Sequence, residues 1–260
     1  MNLKFVEPQI IFQDRHILVI NKPSGMVVNR SETAKGLTVQ EWVEDYLGWD
    51  EGNTETLSLT DTGKTEFLKR SGVVHRLDKD TSGVMVLAKN TEVFFDLKNQ
   101  FKTRKVKKEY IALAHGKVSP KKGNINLPIT RNPKNRMRFT VKASGRRALT
   151  FYEVERHYGR VRHPANVFSF LRVRPKTGRT HQIRVHFTFL GHPIVSDPLY
   201  LSKKKRLRED LKWCPRLFLH ARRLAFRHPG TKKKVRFEVK LPEDLSAVLS
   251  YFGKVRPGIL

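Results

Sequence analysis

The apolar residues of this chain fall into short runs, and that pattern limits the fold more than any other feature. Residues 10–21, IIFQDRHILVIN, read as two short strands around the turn Gln13-Asp14-Arg15. Val84-Met85-Val86-Leu87 is a short, wholly apolar run and reads as a buried strand. Tyr110 to Ala114 reads as another. Leu149, Phe151 and Val154 begin a strand whose spacing suggests a bulge. Leu171 and Val173 alternate with Arg172 and Arg174, and residues 235–241 alternate apolar with charged, as a half-buried strand does.

Helical signals are fewer. Thr38-Val39-Gln40-Glu41 has the capping-box pattern ahead of Trp42, Val43, Tyr46 and Leu47, and Gly48 closes that segment. Phe94, Leu97 and Phe101 share one face of a helix over residues 91–104. Ile183, Phe187 and Leu190 do the same before Gly191. Residues 49–70 read as an irregular polar loop, and 131–147 as a basic, turn-rich stretch. Many short strands with few helices between them predict an α+β fold around a mixed, mainly antiparallel sheet. No repeat or low-complexity linker divides the 260 residues, so a single domain over 1–260 is expected, with its core at about 10–243.

Lys and Arg total 52 against 24 Asp and Glu, a net charge of +28. Solubility alone asks for a magnitude of roughly 2 to 8 in a small domain, so a polyanionic partner is the natural expectation. With 38% hydrophobic residues the chain can still bury a core. No run of about 18 apolar residues is present to span a bilayer, and the N-terminus lacks the apolar stretch of a signal peptide. Cys214 is the only cysteine, which excludes an internal disulfide and a cysteine metal cluster and agrees with a cytoplasmic location.

Three motifs for other chemistries fail. Asp78-Lys79-Asp80-Thr81-Ser82-Gly83 begins like a calcium loop, but Lys89 stands where a bidentate Glu is required. Gly63-Lys64-Thr65 ends like a phosphate loop, but Ser58 replaces its upstream glycine. His181 and His186 are five apart with no metal-protease pattern around them, so packing or phosphate contact suits them better than a metal. No dinucleotide fingerprint occurs. No metal and no cofactor is expected.

The stretch Gly72-Val73-Val74-His75-Arg76-Leu77-Asp78-Lys79-Asp80-Thr81-Ser82-Gly83 resembles the signature of the RluA-type pseudouridine synthases. Four further segments agree in order: Val19-Ile20-Asn21-Lys22-Pro23-Ser24-Gly25, Lys107-Lys108-Glu109-Tyr110, the segment from Arg174 through Arg179-Thr180-His181-Gln182-Ile183-Arg184 to His186, and Leu219-His220-Ala221. Two positions depart from the pattern. Ser196 stands where the family usually has Gly before Asp197-Pro198-Leu199-Tyr200, and Phe139 where Met is common. The S4 RNA-binding domain of many relatives is not expected, because few residues precede the first strand.

The resemblance implies isomerisation of uridine to pseudouridine within RNA: the N1–C1′ bond breaks, the uracil turns, and it rejoins through C5. Asp78 is the implied nucleophile or base, acting at C1′, C2′ or C6. Alone, an Asp there reads as a turn or cap residue. Its carboxylate must stay ionised in a pocket, which a neighbouring cation favours. Arg184 is the implied cation, and Arg179 is the alternative. Tyr110 is expected to stack on the uracil, since a free phenol with a pKa near ~10 is a poor base. Alone, it reads as a core aromatic.

A target uridine must leave its stack. Arg76 is expected to fill the gap or to hold a phosphate, as against a structural salt bridge. His75, Arg179, His181, Gln182 and Leu219 complete the expected substrate contacts, although Leu219 alone reads as core. Basic runs at 102–108, 131–147, 203–208 and 232–234 would supply phosphate contacts. A stem-loop in rRNA or tRNA is the expected partner, met by a monomer. The rival is a non-catalytic RNA-binding or ribosome-assembly factor of the same fold. The presence of Asp78, Tyr110 and Arg184 together favours the enzyme.

Overall fold

The computed structural model describes residues 6–31, 36–49, 62–160, 163–201 and 204–254. The chain forms two compact units, Met1–Lys107 with Arg223–Val239, and Lys108–Arg222 with Lys240–Leu260.

In the first unit β1 (Gln9–Gln13) turns back into β2 (Ile17–Lys22), as the alternating run predicts. Asp14 makes the turn, its carboxylate accepting the amides of His16 and Ile17 at 2.8 Å each. Helix α1 (Val39–Leu47) carries both predicted caps. The Thr38 hydroxyl accepts from the Glu41 amide, the Glu41 carboxylate accepts from the Thr38 amide, and Gly48 adopts φ 62°. Such an N-cap is worth about 1 kcal/mol.

Helix α2 (Thr62–Lys69) corrects the expectation of a loop over 49–70. Its sequence TGKTEFLK has little propensity of its own. Phe67 supplies the reason for the helix, packing into the unit's core with Trp49 and Leu68 beside it. Residues 50–61 of that stretch, and the start of the N-terminal segment read for a signal peptide, lie outside the described residues.

Strand β3 (Ser82–Ala88) is buried along its whole length, which explains a run without alternation. It pairs antiparallel with β2, Val19 opposite Val86. Helix α3 (Thr91–Lys102), capped by Asn90, drives Phe94 and Leu97 into the core. Each such burial contributes about 2 kcal/mol.

The second unit is built on long antiparallel strands. Strand β4 (Lys107–His115) is followed by β5 (Lys122–Asn126), and a small separate sheet forms from β6 (Ile129–Arg131) and β7 (Phe139–Val141). That hairpin occupies the segment expected to be turn-rich. Next come β8 (Leu149–Arg160) and β9 (His163–Pro175), paired with each other and flanked by β4 on β9 and β5 on β8. Pairing is regular across the 151–154 spacing that suggested a bulge, and the register shift falls beyond it, between Val154 and Arg156.

Helix α4 (Gln182–Phe189) lays Ile183 and Phe187 on this sheet, and α5 (Lys204–Leu211) holds much of the basic run at 203–208, of which Lys203 lies outside the described residues. Strand β10 (Leu219–Arg227) has its residues up to Arg222 in the second unit and the rest in the first. There β11 (Lys234–Glu238) pairs with it. Helix α6 (Glu243–Ser250) and the short β12 (Gly253–Lys254) complete the second unit. The architecture is the predicted mixed, mainly antiparallel α+β fold. Among the described residues no helix is long and apolar enough to cross a membrane.

Candidate active site

Asp78 lies on the loop between α2 and β3, and the surrounding residues hold its backbone from several directions. Gly72 begins the loop with φ 69°, and a Cβ there would collide with the carbonyl oxygen of Ala88. Only glycine combines that conformation with that approach. The Nε2 of His75 accepts the Val86 amide at 3.2 Å, and its ring stacks on Phe101 with centroids 4.5 Å apart. Leu77 is buried, Asp78 is half-buried and Arg76 is exposed. The Asp78 carbonyl accepts the Thr81 amide at 3.1 Å.

Lys22 locks this loop to the turn after β2. Its side chain is fully buried, and its ammonium donates to the carbonyls of Pro23 at 2.7 Å, Met26 at 2.8 Å and Lys79 at 3.0 Å. The Gly25 amide also donates to Lys79, and the Ser24 hydroxyl to the Asp80 carbonyl at 2.8 Å. Two loops far apart in sequence are thus joined around one cation, with Asp78 immediately before the shared carbonyl.

The second unit presents the remaining expected residues around the start of α4. Gln182 is buried and fully engaged. Its Oε1 accepts from the Thr177 hydroxyl at 2.6 Å and the Arg179 amide at 3.0 Å, while its Nε2 donates to Leu149 O and Thr150 Oγ1. It is a bracket holding the 177–182 turn to β8. Arg179 is directed along the surface, its Nε donating to Arg147 O at 3.1 Å. His181 has φ 55°, and its Nδ1 lies 2.9 Å from the Tyr200 hydroxyl. His186 is wholly buried, with Nε2–H donating to Leu127 O and Nδ1 accepting from Thr150. Burial lowers its pKa, so the ring is neutral and serves packing.

Arg184 points inward. Its side chain is 2% exposed, and its Nε and Nη2 each meet a carboxylate oxygen of Asp197 at 2.8 Å. Asp197 Oδ1 also accepts the amides of Leu199 and Tyr200. The Arg184 guanidinium lies over the Tyr200 ring, 5.1 Å from its centroid.

Tyr110 sits on β4 opposite Val173 of β9. It is half-buried against the apolar cluster that contains Ile183, Phe187 and Leu219. Its ring therefore has an apolar backing and an accessible part, the form a stacking surface takes. Lys108, two residues earlier and on the same strand face, donates to Thr177 O at 2.9 Å. Burial brings its pKa down to about 8.

His75, Arg76 and Asp78 thus belong to the first unit, and Tyr110, Arg179, His181, Gln182, Arg184 and Leu219 to the second. Lys22, Lys108, Asp197 and Tyr200 carry no sequence signal of a task of their own. All four stand inside the segments quoted above, Lys108 two residues before Tyr110.

The model of the RNA pseudouridylate synthase family matches residues 16–189. The ribosomal large subunit pseudouridine synthase D of Nitrosomonas europaea is 36% identical over 93% of this chain and 64% of that protein. The tRNA pseudouridine synthase C of Haemophilus ducreyi is 34% identical over 95% of this chain and 97% of its own. Among solved structures, human RNA pseudouridylate synthase domain containing 1 superposes with a TM-score of 0.70 at 24% identity, covering 97% of this chain and 91% of that one, which shows the shared fold. The family match spans the Asp78 loop, β4 with Tyr110 and helix α4 alike, and the chain belongs to the RNA pseudouridylate synthase family.

Proposed function

We propose that this protein isomerises a specific uridine to pseudouridine in a stem-loop of rRNA or tRNA, with Asp78 as the residue that starts the reaction. The observation that carries this reading is the way the Asp78 loop is held. Its backbone is tied through Lys79 and Asp80 to the Lys22 turn, while the carboxylate-bearing side chain is left half-buried. A group that must meet one carbon of a ribose or uracil benefits from that rigidity, because misplacement by about 1 Å can cost on the order of 100-fold in rate.

Asp78 acts as the nucleophile or base that releases uracil from C1′. Arg184 supplies a buried positive charge to the reaction, two of its nitrogens held by Asp197. Tyr110 stacks on the freed uracil while it turns, and Leu219 extends the apolar wall behind it. The uridine reaches the site by leaving its stack, and the exposed Arg76 takes the vacated space or holds the flanking phosphate. The relatives named for ribosomal and for transfer RNA support both substrate classes.

The test uses RNA labelled with tritium at uridine C5, from which pseudouridine formation releases the label. The wild-type protein should release tritium from rRNA or tRNA transcripts. Asp78→Asn should release none while binding the same RNA within a few-fold of wild type. Substantial turnover by Asp78→Asn would remove the proposed mechanism, and RNA binding without turnover by the wild type would leave the assembly-factor reading.

A further inference from the structure

The hairpin β6–β7 and the side chain of Arg184 meet the same residue, Tyr200. The Tyr200 hydroxyl accepts the Phe139 amide of β7 at 2.8 Å and lies 2.9 Å from His181 Nδ1. With the Phe139 N–H donating to it, the phenol can direct its own proton to the imidazole. Phe139 and Tyr200 both set ring edges against His181, with centroids 5.6 and 5.7 Å away. The face of the phenol carries the Arg184 guanidinium, and its backbone amide donates to Asp197 Oδ1. Tyr200 is 7% exposed, while Phe139 and His181 are half-buried around it.

The hairpin has the chemistry of an RNA contact. From residue 128 to 147 there is no Asp or Glu. Arg131, Lys134, Arg136, Lys142, Arg146 and Arg147 are exposed along it. Met137 stands between Arg136 and Arg138 and is 71% exposed. An apolar, unbranched side chain flanked by cations suits an unstacked base beside its phosphates.

The hairpin is also firmly rooted. Ile129 and Arg146 exchange both backbone hydrogen bonds, at 3.0 and 2.9 Å. A Cβ at Gly145 would stand 2.7 Å from the Ile129 backbone. Load applied at the tip is therefore carried down β7 to the Phe139 amide and to Tyr200.

We propose that Tyr200 is a positioning residue that makes the orientation of the Arg184 guanidinium depend on RNA engaging the β6–β7 hairpin. This rests on the functional reading above, in which Arg184 serves the reaction. Asp197 fixes two nitrogens of the guanidinium, and the phenol fixes the plane on which it rests. An RNA that binds through the other basic surfaces but leaves the hairpin unloaded is held without being processed at full rate. Discrimination between RNAs is then exercised in the chemical step as well as in binding.

The experiment is single-turnover tritium release from 5-tritiated rRNA and tRNA transcripts at saturating enzyme, with RNA Kd measured in parallel. Tyr200→Phe keeps the ring and removes the hydroxyl. Arg136→Ala/Met137→Ala alters only the exposed tip. Tyr200→Phe should lower the saturating rate about tenfold with Kd within about twofold, the scale of removing one buried hydrogen bond. The tip variant should weaken binding and also lower the saturating rate several-fold. Combined with Tyr200→Phe, it should weaken binding as before and lower the rate no further.

Rate losses that multiply in the combined variant would overturn the inference, as would a Tyr200→Phe enzyme at wild-type rate. If Tyr200→Phe does not fold, the tip variant alone decides, and a saturating rate equal to wild type overturns the inference. A wild-type enzyme silent on both RNA classes removes the functional reading beneath it, whereas an active wild type with an unaffected tip variant removes the inference alone.

Discussion

Arg184 and Asp197 meet through two parallel hydrogen bonds of 2.8 Å, with the arginine side chain 2% exposed and the aspartate wholly buried. Taking two charges out of water costs several kcal/mol per ion, and only good geometry with further hydrogen bonds offsets it. Both conditions hold here. The contact is bidentate, and Asp197 Oδ1 receives two backbone amides as well. What the pair provides is a guanidinium anchored in the interior through two of its nitrogens.

Asp197→Asn should therefore damage both stability and turnover. The amide keeps the shape but leaves the buried guanidinium without its counter-charge, which costs about 3–5 kcal/mol. In the variant that remains folded, turnover should fall about 100-fold, the scale of a misplaced group, with RNA affinity within about threefold because exposed cations carry it. Urea unfolding and single-turnover tritium release check the two effects. Full turnover in folded Asp197→Asn would show that the reaction does not use this orientation.

Lys22 is a buried cation that donates to three backbone carbonyls. Lys22→Met removes their donor while keeping most of the side-chain volume. A loss of about 3 kcal/mol is expected from the orphaned carbonyls. The Gly25 amide, which donates to the same Lys79 carbonyl, should exchange its hydrogen much faster than in wild type. Turnover should drop about tenfold as the Asp78 loop loosens. Unchanged Gly25 exchange would mean that the two loops hold together without the lysine.

Much of the fold could be read locally. The Thr38 capping box, the Asp14 turn and the alternation of β11 are signals within a few residues, and each appears where expected. Helix α2 escapes such a reading because its segment is polar with a glycine near its start, and burial of Phe67 outweighs propensity. The site is legible only in part, for a similar reason. Nothing beside Arg184 in sequence marks Asp197, 13 residues on, as its counter-ion.

Ser196 is instructive here. Glycine is the usual residue at its place in the resemblance, and the structure shows φ 54°, a conformation in which glycine is unstrained. Serine is held there by its hydroxyl on the Cys214 carbonyl at 2.7 Å and its amide on Asp210. Contacts made through the fold, rather than neighbours in sequence, assign these residues their tasks.

The hairpin should be visible in the salt dependence of binding. Lys134 and Arg136 are exposed on a segment without acidic residues. Each phosphate that a substitution leaves unneutralised lowers the slope of log Kd against log salt by about 1. Lys134→Ala/Arg136→Ala should flatten the slope by about 1–2 and weaken binding to rRNA and tRNA alike. Filter binding across a salt series measures it. A slope equal to wild type would show that these cations are solvated surface.

Lys108 should leave a mark on stability in alkaline solution. Its ammonium is held beneath the Thr177 carbonyl, and burial lowers its pKa from 10.5 to about 8. Below pH 8 the lysine is charged in the folded and unfolded chains, and the desolvation cost is constant. Between pH 8 and 10.5 the unfolded chain still holds the proton that the folded chain has released, so stability rises with pH through that window. Above it both forms are neutral and the cost has gone. Lys108→Met has no such proton. Relative to that variant, wild type should gain up to about 3 kcal/mol between pH 8 and 10.5 and gain nothing between pH 6 and 7. Urea unfolding of both proteins across this range measures the difference, and a difference that stays flat through pH 10 would mean that the ammonium keeps its water and its charge.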